Sequence, residues 1–254
     1  MKKHLTILTG ASRGMGLAMA QQLLQPGHTL LCISRRTNAA LADLAANTED
    51  VTLEQWQQDL TEGAGTSRKL ALWLGASDGD QFASATLINN AAALPKISSL
   101  ASADFDDIAQ AMRVNLETPM QLTAAFLSAT CDWTGERKVL NISSGNGRRA
   151  MASQSIYSAA KAGMDHYTRC VALEEAARPN GARLCSLAPG IIDTDMQAHL
   201  RNTDPADFPS HATFVSFRDN GDLLTPAAAA KRVLDYLARA DFGSNPVGDV
   251  RDPV

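Results

Sequence analysis

The sequence has few cysteines, no long hydrophobic run and no marked excess of charge. Its four cysteines, Cys32, Cys131, Cys170 and Cys185, are far apart and form no CxxC pair. We therefore expect small core residues, not disulfides or metal ligands. No stretch approaches the roughly 18 apolar residues that a transmembrane helix needs. The formal net charge of -4 gives no indication of nucleic-acid binding.

The first four residues, Met1 to His4, run directly into the apolar segment Leu5 to Thr9. This start leaves no room for the apolar region of a signal peptide. Together with the missing membrane span, it predicts a cytoplasmic protein with no membrane partner.

Short apolar runs alternate along the chain with Ala- and Leu-rich segments of helical spacing. The runs are Leu5 to Thr9, Thr29 to Ser34, Val51 to Trp56, Thr86 to Asn89, Val139 to Ile142 and Arg183 to Leu187, with a weak seventh near Pro246 to Val250. The helical segments include Gly16 to Leu24, Ala39 to Ala46, Ile108 to Ala129 and Ser158 to Ala177. Continuous apolar strands between crossover helices are typical of a parallel sheet covered on both faces. The pattern predicts one α/β domain over residues 1–254, a doubly wound, Rossmann-type sheet of about seven strands.

The stretch at about 193–224 interrupts this alternation. It contains two prolines and three phenylalanines, Phe208, Phe214 and Phe217, with little periodicity. Long irregular segments inside a compact domain are usually functional. We expect a substrate lid here, in which the phenylalanines either cover an aromatic substrate or fix the segment to the body of the protein.

A glycine-rich turn follows the first strand, in the order Gly10-Ala11-Ser12-Arg13-Gly14-Met15-Gly16. Glycines let the chain turn tightly and let a pyrophosphate approach the backbone at the start of the following helix. Glycine turns occur for other reasons, but the position after the first strand favours a dinucleotide site.

The second strand ends in Arg35-Arg36, where an NAD-binding fold would place an acid for the ribose 2'-hydroxyl. No acid is present there. With Arg13 in the glycine turn, the two arginines are suited to a 2'-phosphate. The sequence therefore predicts NADP(H) in preference to NAD(H), unless these arginines are simply solvated.

Tyr157 and Lys161 are four residues apart at the start of a predicted helix, and Ser144 follows an apolar strand upstream. Side chains at this spacing share one helix face. An ammonium near a phenol is expected to lower its pKa from about 10, which would let Tyr157 exchange a proton with a substrate oxygen. Ser144 is placed to hydrogen-bond the same oxygen.

These motifs, in this order, resemble the short-chain dehydrogenase/reductase family over nearly the whole chain. The resemblance implies a catalytic set of Ser144, Tyr157, Lys161 and Asn115, in which Asn115 supports a proton-relay water. It implies cofactor contacts from Gly10, Ser12, Arg13, Gly14, Met15, Gly16, Arg35, Arg36, Asp59, Leu60, Asn90, Ala91, Tyr157, Lys161, Pro189, Gly190, Ile192 and Thr194. One departure is Ala92, which stands where the family's NNAG segment has glycine.

The resemblance implies hydride transfer from NADPH to a carbonyl carbon of a small substrate, with no metal. Tyr157 would protonate the oxygen, and Lys161 would hold the ribose hydroxyls. A homodimer or homotetramer is expected through the helices at about 104–129 and 155–178, where small residues including Ala159, Ala160, Ala162 and Gly163 permit close packing.

Within the family the chain is most similar to sepiapterin reductases and bacterial benzil-reductase-like enzymes. This similarity makes a ketone or diketone the expected substrate and Asp249 a candidate substrate anchor. A 3-ketoacyl-carrier-protein reductase is an alternative, although the net acidity disfavours docking of an acidic carrier. A non-catalytic NADP(H) sensor and a purely structural α/β protein are further alternatives.

Overall fold

Seven strands pair side by side in one parallel sheet in the computed structural model, which describes residues 2–252. They are β1 (Lys3–Thr9), β2 (His28–Ser34), β3 (Val51–Gln57), β4 (Phe82–Asn89), β5 (Glu136–Ile142), β6 (Arg183–Ala188) and β7 (Val247–Asp249). Their order is β3-β2-β1-β4-β5-β6-β7. The predicted fold class is confirmed, and the weak seventh strand pairs with β6.

The strand order reverses between β1 and β4. Ligands of open α/β sheets bind at such a point, outside the carboxyl ends of the strands. The register places Leu8 beside Ile88 and Ile88 beside Leu140. The residues that follow these three strands therefore emerge along the same edge of the sheet, as do Gly10 and Ser144.

Nine α-helices occur within the described part of the chain. They are α1 (Gly14–Leu23), α2 (Ala39–Ala46), α3 (Gly63–Gly75), α4 (Phe105–Met112), α5 (Thr118–Ala129), α6 (Ser155–Ala176), α7 (Asp195–Arg201), α8 (His211–Asp219) and α9 (Pro226–Leu237). The helix expected over Ile108 to Ala129 is interrupted by a π-helical turn at Arg113–Glu117. Such turns are frequent at functional sites, and this one contains the predicted Asn115.

Each face of the sheet has its own hydrophobic core. Successive strand residues alternate between them, so that Leu8 belongs to the core with α1 and α9 whereas Ile7 belongs to the core with α3 and α5. Both residues are fully buried. The strands are apolar at nearly every position because both faces are covered.

The segment predicted as a lid forms α7 and α8 and is closed at its base. Asp193 N donates to Leu224 O at 2.9 Å, and Leu224 N donates to Ile191 O at 2.9 Å. Phe208 and Phe214 are buried in a small third cluster with Leu200 and Ile97. Because Ile97 lies outside the segment, Phe208 and Phe214 fix the segment to the body of the protein. The lid function stays a prediction.

The expectation for the cysteines is wrong for two of the four. Cys32 and Cys185 are buried on strands, but Cys131 and Cys170 are exposed. Cys131 follows the end of α5 and Cys170 lies on the outer side of α6, positions that the hydrophobic pattern alone does not distinguish from the core. No helix within residues 2–252 is long and apolar enough to cross a membrane.

Candidate active site

The glycine turn has the backbone geometry that its sequence predicts. Gly10 and Gly14 have φ values of +71° and +56°, which side chains rarely permit. A Cβ on Gly16 would lie 2.1 Å from Gly10 O. No side chain caps α1, and its first turn has no acidic residue. Its free N–H groups and positive dipole end are suited to a phosphate.

The residues that follow β4 pack against the glycine turn and hydrogen-bond to Thr9, the last residue of β1. The Thr9 hydroxyl accepts hydrogen bonds from the backbone N–H groups of Asn90 and Ala91 at 2.9 and 3.0 Å. Asn90 Nδ2 donates to Thr9 O at 2.9 Å. A Cβ on Gly10 would lie 2.9 Å from Ala91 Cα. The structure thus brings two predicted cofactor contacts against the glycine turn.

Thr194, after β6, meets the turn from the opposite side. A Cβ on Gly14 would lie 3.7 Å from Thr194 Cγ2. Gly190 has a φ of +84°, which lets the chain turn away from the sheet, and Ile192 is buried. The glycine turn therefore contacts both the end of β4 and the segment after β6 at the carboxyl edge of the sheet, the region called the crevice below.

The predicted phosphate-binding arginines are all exposed. Arg35 and Arg36 follow β2, and Arg13 forms an ion pair with Asp195 at the start of α7. The pKa of Asp59 is lowered, chiefly by the Thr61 backbone N–H and to a smaller extent by Arg35. Asp59 and Arg35 therefore lie close enough to interact at this end of the crevice.

Ser144, Tyr157 and Lys161 come together at the other end. Tyr157 and Lys161 occupy the first two turns of α6 and are almost fully buried. The Ser144 side chain lies close enough to Tyr157 to lower the pKa of the phenol. Lys161 Nζ donates to Ile142 O, at the end of β5, at 2.7 Å and lies 5.7 Å from the Tyr157 ring centroid.

The expected lowering of the tyrosine pKa is wrong for this structure. Burial raises the pKa of Tyr157 to about 12, and the nearby Ser144 side chain offsets only part of that effect. Burial likewise lowers the pKa of Lys161 to about 8, opposed by the charge of Asp165. Burial is the largest cause of both shifts, because loss of water disfavours the charged form of each group. Tyr157 is therefore a neutral phenol near pH 7.

Asn115 connects the π turn to the chain after β4. It is fully buried. Its Oδ1 accepts from Ala93 N at 3.0 Å and its Nδ2 donates to Ala93 O at 2.7 Å. These bonds fix the side chain, and the relay-water role stays a prediction.

Asp249, the predicted substrate anchor, is held in an ion pair. Arg251 Nε and Nη2 donate to its two carboxylate oxygens at 2.7 and 2.6 Å. The pKa of Asp249 is lowered, first by this hydrogen bonding. A substrate would have to share the carboxylate with Arg251, and the anchoring role stays a prediction.

Sequence reasoning missed Asp165, a buried carboxylate one turn beyond Lys161. The signal was available, because Asp165 continues the four-residue spacing of Tyr157 and Lys161. Its partners are Ser143, directly after β5, and Ser186, on β6, and only the fold brings them together.

Comparison with known proteins now defines the class. Residues 4–205 match the family model described as short chain dehydrogenase. The chain belongs to the short-chain dehydrogenase/reductase family and is an oxidoreductase. Members of this family bind nicotinamide cofactors and act on small-molecule substrates.

Individual relatives support the predicted similarity within the family. The chain is 33% identical over 244 residues to benzil reductase ((S)-benzoin forming) of Bacillus cereus, covering 96% of each. It is 32% identical over 256 residues to sepiapterin reductase of Mus musculus, covering 97% of this chain and 96% of the relative. Among solved structures, the KRED1-Pglu enzyme has a TM-score of 0.80 at 25% identity, with 97% of this chain and all (100%) of that chain covered.

Proposed function

We propose that this protein is an NADPH-dependent carbonyl reductase that reduces a ketone or diketone of a small organic molecule. The observation that carries the proposal is the buried side chain of Tyr157, which lies near Ser144 and is followed one turn later by Lys161. This group lies at the sheet edge that also carries the glycine turn. A cofactor at the turn and a proton donor beside it are the two requirements of carbonyl reduction.

Each side chain has a role that its surroundings permit. A bound nicotinamide supplies the hydrogen and two electrons that reduce the carbonyl carbon. Tyr157 donates its proton to the carbonyl oxygen, and Ser144 donates a hydrogen bond to the same oxygen. Lys161, oriented by its bond to Ile142 O, holds the ribose hydroxyls. Asn115 fixes the chain after β4 beside them.

The cofactor residues divide into three groups along the crevice. The turn residues Gly10, Ser12, Gly14, Met15 and Gly16 hold the pyrophosphate at the start of α1. Asp59, Leu60, Asn90 and Ala91 line the adenosine side. Pro189, Gly190, Ile192 and Thr194 line the nicotinamide side.

The preference for NADPH rests on Arg35 and Arg36. They are exposed at the end of β2, and no acid stands there to accept from a 2'-hydroxyl. Guanidinium groups donate paired hydrogen bonds to phosphate. Arg13 can bind the 2'-phosphate only after its ion pair with Asp195 is broken.

The substrate proposal follows the most similar relatives. Benzil and sepiapterin reductases are similar to this chain over nearly its full length. The segment 193–224 would close over the substrate, and Asp249 would bind its polar end. Carbonyls adjacent to a ring are the chemistry to test first.

A homo-oligomer is proposed through α4, α5 and α6. Phe105, Met120 and Leu173 on these helices are exposed, and their burial against a second copy would remove apolar surface from water. Light scattering after size-exclusion chromatography distinguishes monomer, dimer and tetramer.

Two measurements test the enzyme proposal. Fluorescence titration with NADPH and NADH should give tighter binding of NADPH, and tighter binding of NADH would overturn the role of the arginines. NADPH consumption is then followed with diketones, pterins, quinones, keto esters and acyl thioesters. Turnover only of acyl thioesters would favour the carrier-protein reductase, and binding without any turnover would favour a sensor.

A further inference from the structure

Asp165 shares one face of α6 with Tyr157 and Lys161. The three residues are spaced four apart, and side chains at this spacing follow one another along a helix face. Only 2% of Asp165 and 2% of Lys161 is exposed. The helix thus presents a phenol, an ammonium and a carboxylate in series, all withdrawn from water.

The carboxylate joins α6 to the residue that follows β5 and to β6. Asp165 Oδ1 accepts from Ser143 Oγ at 2.6 Å and from Ser186 Oγ at 2.7 Å. Hydroxyl donors at this distance are typical of an ionised carboxylate. Ser143 directly precedes Ser144, so the same oxygen fixes the strand end that carries Ser144 to the helix that carries Tyr157.

The second carboxylate oxygen, Oδ2, is buried, and few nearby groups offset its negative charge. Within residues 2–252, Asp165 Oδ2 has no hydrogen-bond partner. Arg148 Nε lies at 3.9 Å, and the Arg148 side chain is 34% exposed, so water weakens its effect. A Cβ on Gly147 would lie 2.8 Å from Oδ2, which leaves no gap beside it. A buried charge so placed acts strongly on its neighbours.

Lys161 is the neighbour on which this charge acts. Burial lowers the pKa of Lys161 to about 8, and the charge of Asp165 raises it against that effect. Without the carboxylate, the buried lysine would lose its proton closer to neutral pH.

Other titratable groups around this face do not replace Asp165. Burial raises the pKa of Cys185, on β6, to about 11, and Tyr157 is also neutral near pH 7. Asp249, on β7, is engaged by Arg251. Charged residues of the packed α4 and π turn are exposed or half-buried at the surface; they are Asp106, Asp107, Arg113 and Glu117.

We propose that Asp165 is a positioning residue that keeps Lys161 in its ammonium form and fixes the Ser144 strand end to the catalytic helix. The proposal rests on the proposed function, in which the Lys161 ammonium holds the ribose hydroxyls of the cofactor. It goes beyond the residues of the family resemblance.

The test measures Lys161 directly by NMR of the free protein with isotope-labelled lysine. The chain has seven lysines; Lys161→Arg assigns the signal, and Lys138→Arg identifies the other lysine with a lowered pKa. Asp165→Asn removes the charge but keeps an acceptor oxygen for both serines. Ser186→Ala, the matched control, removes one hydrogen bond but keeps the charge.

We expect the Lys161 titration midpoint to fall by roughly one pH unit in Asp165→Asn and to stay unchanged in Ser186→Ala. The alkaline limb of kcat/KM should move with the midpoint. Loss of thermal stability in both variants with an unchanged Lys161 midpoint would show a structural anchor only and overturn the proposal.

Asp165→Ser is a second uncharged variant. Arg148→Met, at a partly exposed position, is measured if neither Asp165 variant folds. Loss of the Arg148 cation leaves the negative charge of Asp165 unopposed, so the Lys161 titration midpoint should rise. An unchanged midpoint there would also overturn the proposal. Since the NMR titration needs neither substrate nor cofactor, its outcome is independent of whether the proposed reduction is found.

Discussion

The two ends of the crevice differ in how far their ionisable side chains are exposed to water. At the glycine turn, Arg13, Arg35 and Arg36 are exposed, and their guanidinium groups remain in water. At the other end, Tyr157 and Lys161 are buried and their pKa values are displaced toward the neutral forms. Exposed cations attract an anion from solution at little desolvation cost, whereas proton transfer needs groups whose pKa the protein controls. Under the proposed function, anion binding and proton transfer therefore take place at separate ends of the same sheet edge.

The largest effect is expected at the buried end. Tyr157→Phe removes the proton donor and should lower kcat by about 10²- to 10⁴-fold, measured as NADPH oxidation with the best substrate of the screen. NADPH binding by fluorescence titration should be nearly unchanged, because the ring remains. Equal turnover by the variant would remove Tyr157 from the mechanism.

Gly16→Ala breaks the turn that supports the exposed end. Its Cβ would meet Gly10 O at 2.1 Å, a backbone atom that cannot move aside alone. Overpacking of this kind costs about 1–3 kcal/mol, so we expect a lower Tm and weaker NADPH binding. Gly65→Ala is the control, since nothing lies within 4 Å of its Cβ. A Gly16 variant as stable as the Gly65 variant would contradict the geometry.

Arg35→Gln and Arg36→Gln test whether the exposed end selects the 2'-phosphate. Each lost charge-assisted hydrogen bond should weaken NADPH binding by roughly tenfold. The effect is not larger because water and salt screen exposed charges. NADH binding should hardly change. Arg232→Gln, exposed on α9, is the control. Equal weakening of both cofactors would show general electrostatic attraction instead of selection.

The pH profile sharpens the contrast between the two ends. Lys161 has a pKa lowered to about 8, so its ammonium form is present below that pH and is lost above it. Tyr157, with a pKa of about 12, keeps its proton throughout this range. Since kcat/KM reports the free enzyme, the kcat/KM for reduction should fall above pH 8. A flat profile to pH 10 would contradict the assignment of Lys161.

The smallest effect is expected for Asp195→Asn. Exposed ion pairs contribute about 0–1 kcal/mol, so the Tm should hardly change when the pair with Arg13 is lost. The freed guanidinium becomes available to a phosphate, and NADPH binding should tighten up to a few-fold. Weaker NADPH binding by this variant would mean that Asp195 supports the crevice instead of competing for Arg13.

Local patterns predicted the strands and turns well because they depend on nearby residues. The apolar run Thr29 to Ser34 is contained in β2, and the glycine turn has the predicted backbone geometry. The π turn at Asn115 was not predictable, because it depends on bonds to Ala93 from another part of the chain. The exposure of Cys131 and Cys170 likewise depends on what packs around them.

By itself, the sequence determined the parallel sheet, the family and the identity of the candidate catalytic residues, because periodicity and motif spacing are properties of neighbouring positions. Only the tertiary structure decided that burial raises the pKa of Tyr157, that Arg13 pairs with Asp195 and that Asp165 binds Ser143 and Ser186. All three features depend on the exclusion of solvent or on contacts between distant segments of the chain. Local sequence patterns do not contain this information.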